Sequence, residues 1–313
     1  MKLSNIKYFL FFVLLFARYS GLCCMNEYRA LVSGVIVYKD ISDRLTAPSG
    51  RLSTENKKHL LEQLHKVDSI YKITGKLEDY SDYAVMLVYN GEYLRAKAIF
   101  IEIESKSPGL YATASNLGTT YELLGQNDLA LHWITKAIKI NPNSHNGSEW
   151  IHVKILEAKI KANGDDKYFL THNLLSLDFG NSEKPENKNN IDLIKLRSQL
   201  YHQLSERMSF ANPQDQIVGQ LLFDLGNVNA IVMDVKSGLE VYEVAKKYGF
   251  SSPVLIKREK HFISLQNRAK MVGQAEDLVE DNLLSTFLIF LTLFVSFIAG
   301  IRYLIKRFKK QKL

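Results

Sequence analysis

Residues 111–144 read YATASNLGTTYELLGQNDLALHWITKAIKINPNS, and residues 77–110 read LEDYSDYAVMLVYNGEYLRAKAIFIEIESKSPGL. Laid over each other at a spacing of 34, the two segments pair Gly91 with Gly125, Ala96 with Ala130, Phe100 with Ile134 and Pro108 with Pro142. Each pair keeps the residue or its apolar character. Small residues such as Ala96, Gly118 and Ala130 allow two helices to approach closely, and Phe100, Tyr121 and Ile134 fill the space between hairpins. Gly91 and Gly125 stand where a first helix must end, a place suited to positive φ. Pro108 and Pro142 follow the second helix and stop it.

The second segment also carries Asn116, Leu117, Gly118, Tyr121 and Ala137. The combined pattern resembles the tetratricopeptide repeat (TPR), a helix-turn-helix unit of this period. The resemblance covers 77–144 most clearly and implies an all-α, helical-hairpin solenoid. One hairpin cannot bury its apolar face alone, so further hairpins are expected on both sides. In that family the first helix of each hairpin lines a concave binding face. The resemblance therefore places Ser81, Asp82 and Tyr89 of the first unit there, with Ser115, Asn116, Thr119 and Glu122 of the second. Related arrays use asparagine at the Asn116 position to hold a peptide backbone; a packing role is the alternative. The basic carboxylate clamp of chaperone-binding arrays is not visible.

The net charge of +7 hints at nucleic acid, but its distribution removes the hint. Nine of the 40 basic residues lie at the two ends: Lys2, Lys7, Arg18, Arg302, Lys306, Arg307, Lys309, Lys310 and Lys312. The stretch between them holds 31 basic against all 33 acidic residues. A nearly neutral body is poor footing for phosphate. Cys23 and Cys24 are the only cysteines, so no disulfide or cysteine-based metal site is expected in the body.

The ends read as membrane signals. Residues 1–24 have a basic start, a short apolar run and a more polar exit, the pattern of a secretory signal peptide. Cys24 is a candidate lipidated cysteine, although Leu22 and Cys23 fit that reading poorly. Residues 283–301 (LLSTFLIFLTLFVSFIAGI) contain no charge. As a helix they cover about 28 Å, enough for a bilayer core. Acidic residues precede this stretch and the basic tail, 302–313, follows it. The positive-inside rule then predicts an exported body, facing a periplasm or its equivalent, and a cytoplasmic tail.

Between the ends, 25–52 shows no clear period, with 34–38 either a strand or a connector. A helix is expected over 53–72 and another over 148–162, the latter returning through 168–175, so that repeat-like hairpins cover 53–175. The polar 176–190 reads as a loop and internal boundary. Further TPR-like hairpins are expected over 191–270: helices at 191–208, 214–225 and 235–248, and one from Pro253 to about residue 269. Gly226 is expected to follow a helix. Gly238, Tyr242 and Ala245 repeat the spacing of Ala130, Ile134 and Ala137, with about seven extra residues in the connector counted from Gly226.

No phosphate loop, dinucleotide fingerprint or nucleophile elbow is present. Glu149 and His152, at i and i+3 on a helix, can touch, and a structural hydrogen bond is the expected role. Asn146-Gly147-Ser148 matches a glycosylation acceptor. No catalytic residue, metal ligand or cofactor is expected, and neither a nucleic-acid partner nor a small-molecule substrate. The reading is a non-catalytic, single-pass membrane adaptor or scaffold that binds a protein or peptide. The alternatives are a structural accessory subunit of a larger membrane complex and an envelope enzyme with a site near Glu149 and His152.

Overall fold

The computed structural model describes residues 26–40, 48, 56–165, 167–212 and 214–310. The expected signal at 1–24, with Cys23 and Cys24, lies outside the described residues, as do Ser53, Thr54, Pro213 and the last three residues of the tail. The described chain is mostly helical. Its helices are α1 (Asn56–Thr74), α2 (Leu77–Tyr89), α3 (Tyr93–Lys106), α4 (Tyr111–Leu123), α5 (Asn127–Ile140), α6 (Glu149–Ala162), α7 (Tyr168–Thr171), α8 (Leu193–Arg207), α9 (Gln216–Val232), α10 (Val235–Lys247) and α11 (Pro253–Lys310). A 3-10 turn at Ser144–Gly147 precedes α6. Two strands, β1 (Asn26–Ala30) and β2 (Ile36–Asp40), pair antiparallel with Ala30 opposite Ile36. The segment without a clear period thus holds a hairpin, because Ile36, Val37 and Tyr38 are residue types suited to a pleated surface.

The chain divides into two compact units. One contains both strands and the helix from Ser264 onward. In it, the Tyr28 hydroxyl donates to Glu276, and a Cβ on Gly273 would stand 3.1 Å from the Tyr28 ring. The other runs from Arg44 to Ile263, with 31–35, and holds the helical hairpins.

In that larger unit, α2 and α4 end alike. The Gly91 amide donates to Val88 O at 3.0 Å, and that of Glu92 to Leu87 O at 2.9 Å. The Gly125 amide donates to Glu122 O and that of Gln126 to Tyr121 O, both at 2.9 Å. These are Schellman caps, and the positive φ of Gly91 (83°) and Gly125 (73°) makes them possible. Each cap turns the chain into the next helix, so α2 packs on α3 and α4 on α5. Ala84, Ala96, Phe100, Leu117, Ala130 and Ile134 are buried in one apolar cluster. The α4/α5 crossing is tight: a Cβ on Gly118 would stand 2.5 Å from the Ile134 side chain.

The α9/α10 hairpin repeats that crossing and corrects the expectation at Gly226. Helix α9 does not end there but continues to Val232. Gly226 serves close packing, since its Cβ would stand 2.4 Å from the Tyr242 ring. Gly226, Gly238, Tyr242 and Ala245 each lie 108 residues after Gly118, Ala130, Ile134 and Ala137. Gly226 is therefore the counterpart of Gly118 rather than Gly125, and the supposed extra residues are helix. The connector is Met233 with Asp234, whose carboxylate caps α10 through the Ser237 amide at 2.9 Å.

The return helix expected over 168–175 is only one turn, α7. The chain then runs irregularly to Asp192, yet it stays inside the larger unit rather than separating two bodies. Leu174, Leu175 and Phe179 are buried with Ile151, Leu200 and Leu221. The buried Arg258 guanidinium donates to the carbonyls of Phe179 (2.7 Å), Gly180 (2.6 Å) and Ser182 (3.1 Å), and to Asn227 Oδ1 (2.6 Å). Helix α11 contains the one stretch among the described residues that is long and apolar enough to cross a membrane, and none of that stretch is buried.

Replacing Gly118 or Gly226 by leucine should each cost about 1–3 kcal/mol by overpacking. Chemical unfolding of the full chain in detergent checks this. An unchanged midpoint for either variant would contradict the crossing described for it.

Candidate functional site

A groove of about 470 Å3 runs across the larger unit. Residues of helices α2, α4, α6 and α8 line it. Helix α2 contributes Val85, Val88 and Tyr89; α4 contributes Ser115, Asn116, Thr119, Glu122 and Leu123; α6 contributes Glu149, His152 and Lys159. Helix α8 closes it with His202, Gln203, Glu206 and Arg207. The spacing of three, four and seven residues puts each set on one helix face. At one end the surface is apolar, and Tyr89 stacks on Phe210 with ring centroids 5.3 Å apart. The other end is ionic.

Glu122 is the centre of the ionic end. Its Oε2 lies 2.6 Å from His152 Nε2. Its Oε1 accepts from Lys159 Nζ at 2.6 Å and from Arg207 at 2.7 Å. The three cations come from two helices, α6 and α8, and the carboxylate from a third. Burial alone would raise the Glu122 pKa, but the charges of Arg207, His152 and Lys159 outweigh it and hold the carboxyl well below its ordinary range.

Glu149 forms a second node. Its Oε1 accepts from the Tyr111 hydroxyl at 3.1 Å and lies 2.9 Å from His145 Nδ1. Its Oε2 stands 3.6 Å from His152 Nδ1. Burial opposes ionisation here too, but the hydrogen bonds from His145 and His152 keep this carboxyl low. His152, between both carboxylates, shows the converse. Burial disfavours its charged form, but the charge and hydrogen bond of Glu122, with help from Glu149, raise its pKa. His145 continues the network to α8 by stacking on His202, ring centroids 4.3 Å apart. Gln203 donates to the buried Ser148 hydroxyl at 3.1 Å.

Of the residues expected on the binding face, Tyr89, Ser115, Asn116, Thr119 and Glu122 line this groove. Ser81 and Asp82 lie nearer the start of α2 and are not among its lining residues. Glu122 is not an open acceptor, because both oxygens are engaged by the chain's own cations. Glu149 and His152 do touch, although the tighter partner of His152 is Glu122. Sequence reasoning does not single out Lys159 or Arg207. Lys159 shares the face of Glu149 and His152, a helical spacing that the sequence displays. Arg207 lies 85 residues from Glu122, and only the fold brings them together. Chemically, the cluster holds charge: both Glu122 oxygens and Glu149 Oε1 have hydrogen-bond partners, and Glu149 Oε2 faces His152 Nδ1 at 3.6 Å. Among the described residues, no group of three His, Cys, Asp or Glu side chains is disposed to hold a metal ion. Compared with known protein families, curated proteins and solved structures, the chain matches none.

Truncating Glu122 to alanine leaves three neighbouring cations without their carboxylate and should destabilise the chain by about 3–5 kcal/mol. Acid should act in the same direction. Glu122 and Glu149 have lowered folded pKa values, so their stabilisation is present above the ordinary carboxylate value of 4.5 and is lost as pH falls through the folded values. Urea midpoints measured down to about pH 3 should fall steeply in the parent chain and less steeply in Glu122→Gln.

Proposed function

We propose that this chain is a membrane-tethered adaptor of the TPR type, a helical solenoid that takes a protein or peptide segment in the groove formed by α2, α4, α6 and α8. The observation that carries this reading is the groove itself, lined by α2, α4, α6 and α8 and by five of the seven residues that the repeat pattern assigned to a binding face. The recurrence of the Gly118–Ile134 crossing at Gly226–Tyr242 supports a repeated unit. A groove with one apolar and one polar end suits an extended segment bearing both kinds of side chain. Its side chains are held by packing and ion pairs, which reduces the ordering cost of binding.

The apolar stretch of α11 supports tethering, and the basic residues beyond it favour a cytoplasmic tail with the groove on the opposite side. A single span raises the effective concentration of the groove toward other membrane-bound molecules. The role is non-catalytic in this reading, since the charged groups of the groove are spent on one another.

A photo-crosslinking residue at Thr119, within the groove, should capture a partner in intact cells. The same residue at Lys139, exposed on α5, should not. Addition of Tyr89→Ala should sharply reduce the Thr119 adduct. Equal adducts at both positions, or none at Thr119 with good yield at Lys139, would place the partner elsewhere.

A further inference from the structure

We propose that the groove is proton-gated. Protonated His152 helps hold α8 against α6 through Glu149 and His145, and loss of that proton loosens α8 and widens the groove. The inference rests on the groove being the binding face, and it assigns that face a regulator.

The geometry carries it. His152 is buried and presents one ring nitrogen to each of two carboxylates, Nε2 to Glu122 at 2.6 Å and Nδ1 to Glu149 at 3.6 Å. Imidazolium has two N–H donors, one for each carboxylate. Neutral imidazole has one. After deprotonation the remaining proton serves the shorter contact to Glu122, and Nδ1 turns a lone pair toward the Glu149 oxygen. Attraction at that contact becomes repulsion in a site with little solvent to screen it.

The charged and titratable groups around His152 set how far that repulsion spreads. Helix α4 presents Glu122, with Tyr111 on Glu149. Helix α6 itself adds Glu149 and Lys159. The turn before it supplies His145. Helix α8 supplies Arg207, Glu206 and His202. With His152 charged, it joins Lys159 and Arg207 as a third cation beside Glu122 and Glu149. Loss of one proton leaves Lys159 and Arg207 on Glu122, so the cluster weakens rather than collapses. The weakened node is Glu149, which reaches α8 through His145 and the His145–His202 stack. A graded change on the α6–α8 side is therefore expected, not unfolding.

The direction of the pH effect comes from the raised folded value of His152. The stabilisation is full below the ordinary histidine value of 6.5 and is lost as pH rises through the higher folded value. The carboxylates change charge only in acid, so the two windows do not overlap. The groove is gripped at mildly acidic pH and relaxed at alkaline pH.

The chain supplies its own reporter. Trp150 on α6 donates to Gln199 Oε1 on α8 at 3.0 Å, and Trp133 is the only other tryptophan. In the full chain in detergent, with Trp133→Phe, Trp150 emission is followed from about pH 5.5 to about pH 9. The expected result is a one-proton red shift with its midpoint above 6.5. His145→Gln, which cuts the link from Glu149 to α8, should reduce the size of the shift but leave a one-proton transition. His152→Gln should remove it and hold the emission at the alkaline value throughout. An emission that does not respond to pH, or a transition that persists in His152→Gln, overturns the proposal. A second readout needs no substitution at His152. Amide hydrogen exchange, corrected for intrinsic rates and compared at about pH 6 and about pH 8.5, should lose protection in α8 but not in α3. Uniform protection, or a loss spread evenly over the unit, overturns it equally. Both readouts use protein without a bound partner, so they stand or fall apart from the crosslinking result.

Discussion

Two pairs of helices in this chain approach so closely that no side chain fits between them at the crossing. At Gly118 a Cβ would sit inside the Ile134 side chain, and at Gly226 inside the Tyr242 ring. The packing of the α4/α5 and α9/α10 hairpins depends on those contacts. A close crossing lets Ile134 and Tyr242 become wholly buried rather than half covered. It also sets the distance at which the next hairpin must pack. A hairpin built this way leaves one apolar side open, so its stability comes from its neighbours, and the groove is a consequence of stacking them.

The ionic end of the groove obeys a different constraint. Moving Glu122 out of water is unfavourable, and its three cations recover that cost only in a geometry that satisfies the oxygens. Such a cluster contributes less to net stability than to alignment. It ties α4 to α6 and α8 with contacts of 2.6–2.7 Å that a shift of either helix would break. Apolar packing at Ile155 and Leu200 tolerates small slips, whereas charge-assisted hydrogen bonds do not. The same alignment makes the groove sensitive to the charge of His152, whose pKa the neighbouring carboxylates raise.

Much of the fold is legible in the chain, and the misreadings have physical causes. Gly91 and Gly125 read as helix ends, and both take the positive φ that such ends require. Gly226 reads in the same way but lies within a helix. Glycine serves both left-handed backbone and close approach, and only the position of Tyr242 separates the two uses. The polar stretch 176–190 looks like a boundary because its composition is that of a loop. It is held instead by Arg258, whose guanidinium reaches three of its carbonyls from a helix about 76 residues later. In the groove, the faces of α4 and α6 come from helical periodicity. The contribution of α8 does not, because periodicity describes one helix and says nothing of which helix lies opposite.

The sequence by itself determined the local elements: the hairpin period of 34, the ends of α2 and α4, the apolar stretch within α11 and the basic residues beyond it. These depend on backbone freedom, on side-chain spacing along a single helix and on hydropathy, all short-range properties. Only the tertiary structure decided that Gly226 is a packing residue, that Arg207 and Lys159 saturate Glu122, and that His152 stands between two carboxylates. Those facts depend on distances between residues far apart in the chain. Desolvation and pairing, which govern charge in a buried site, exist only after the helices have been brought together.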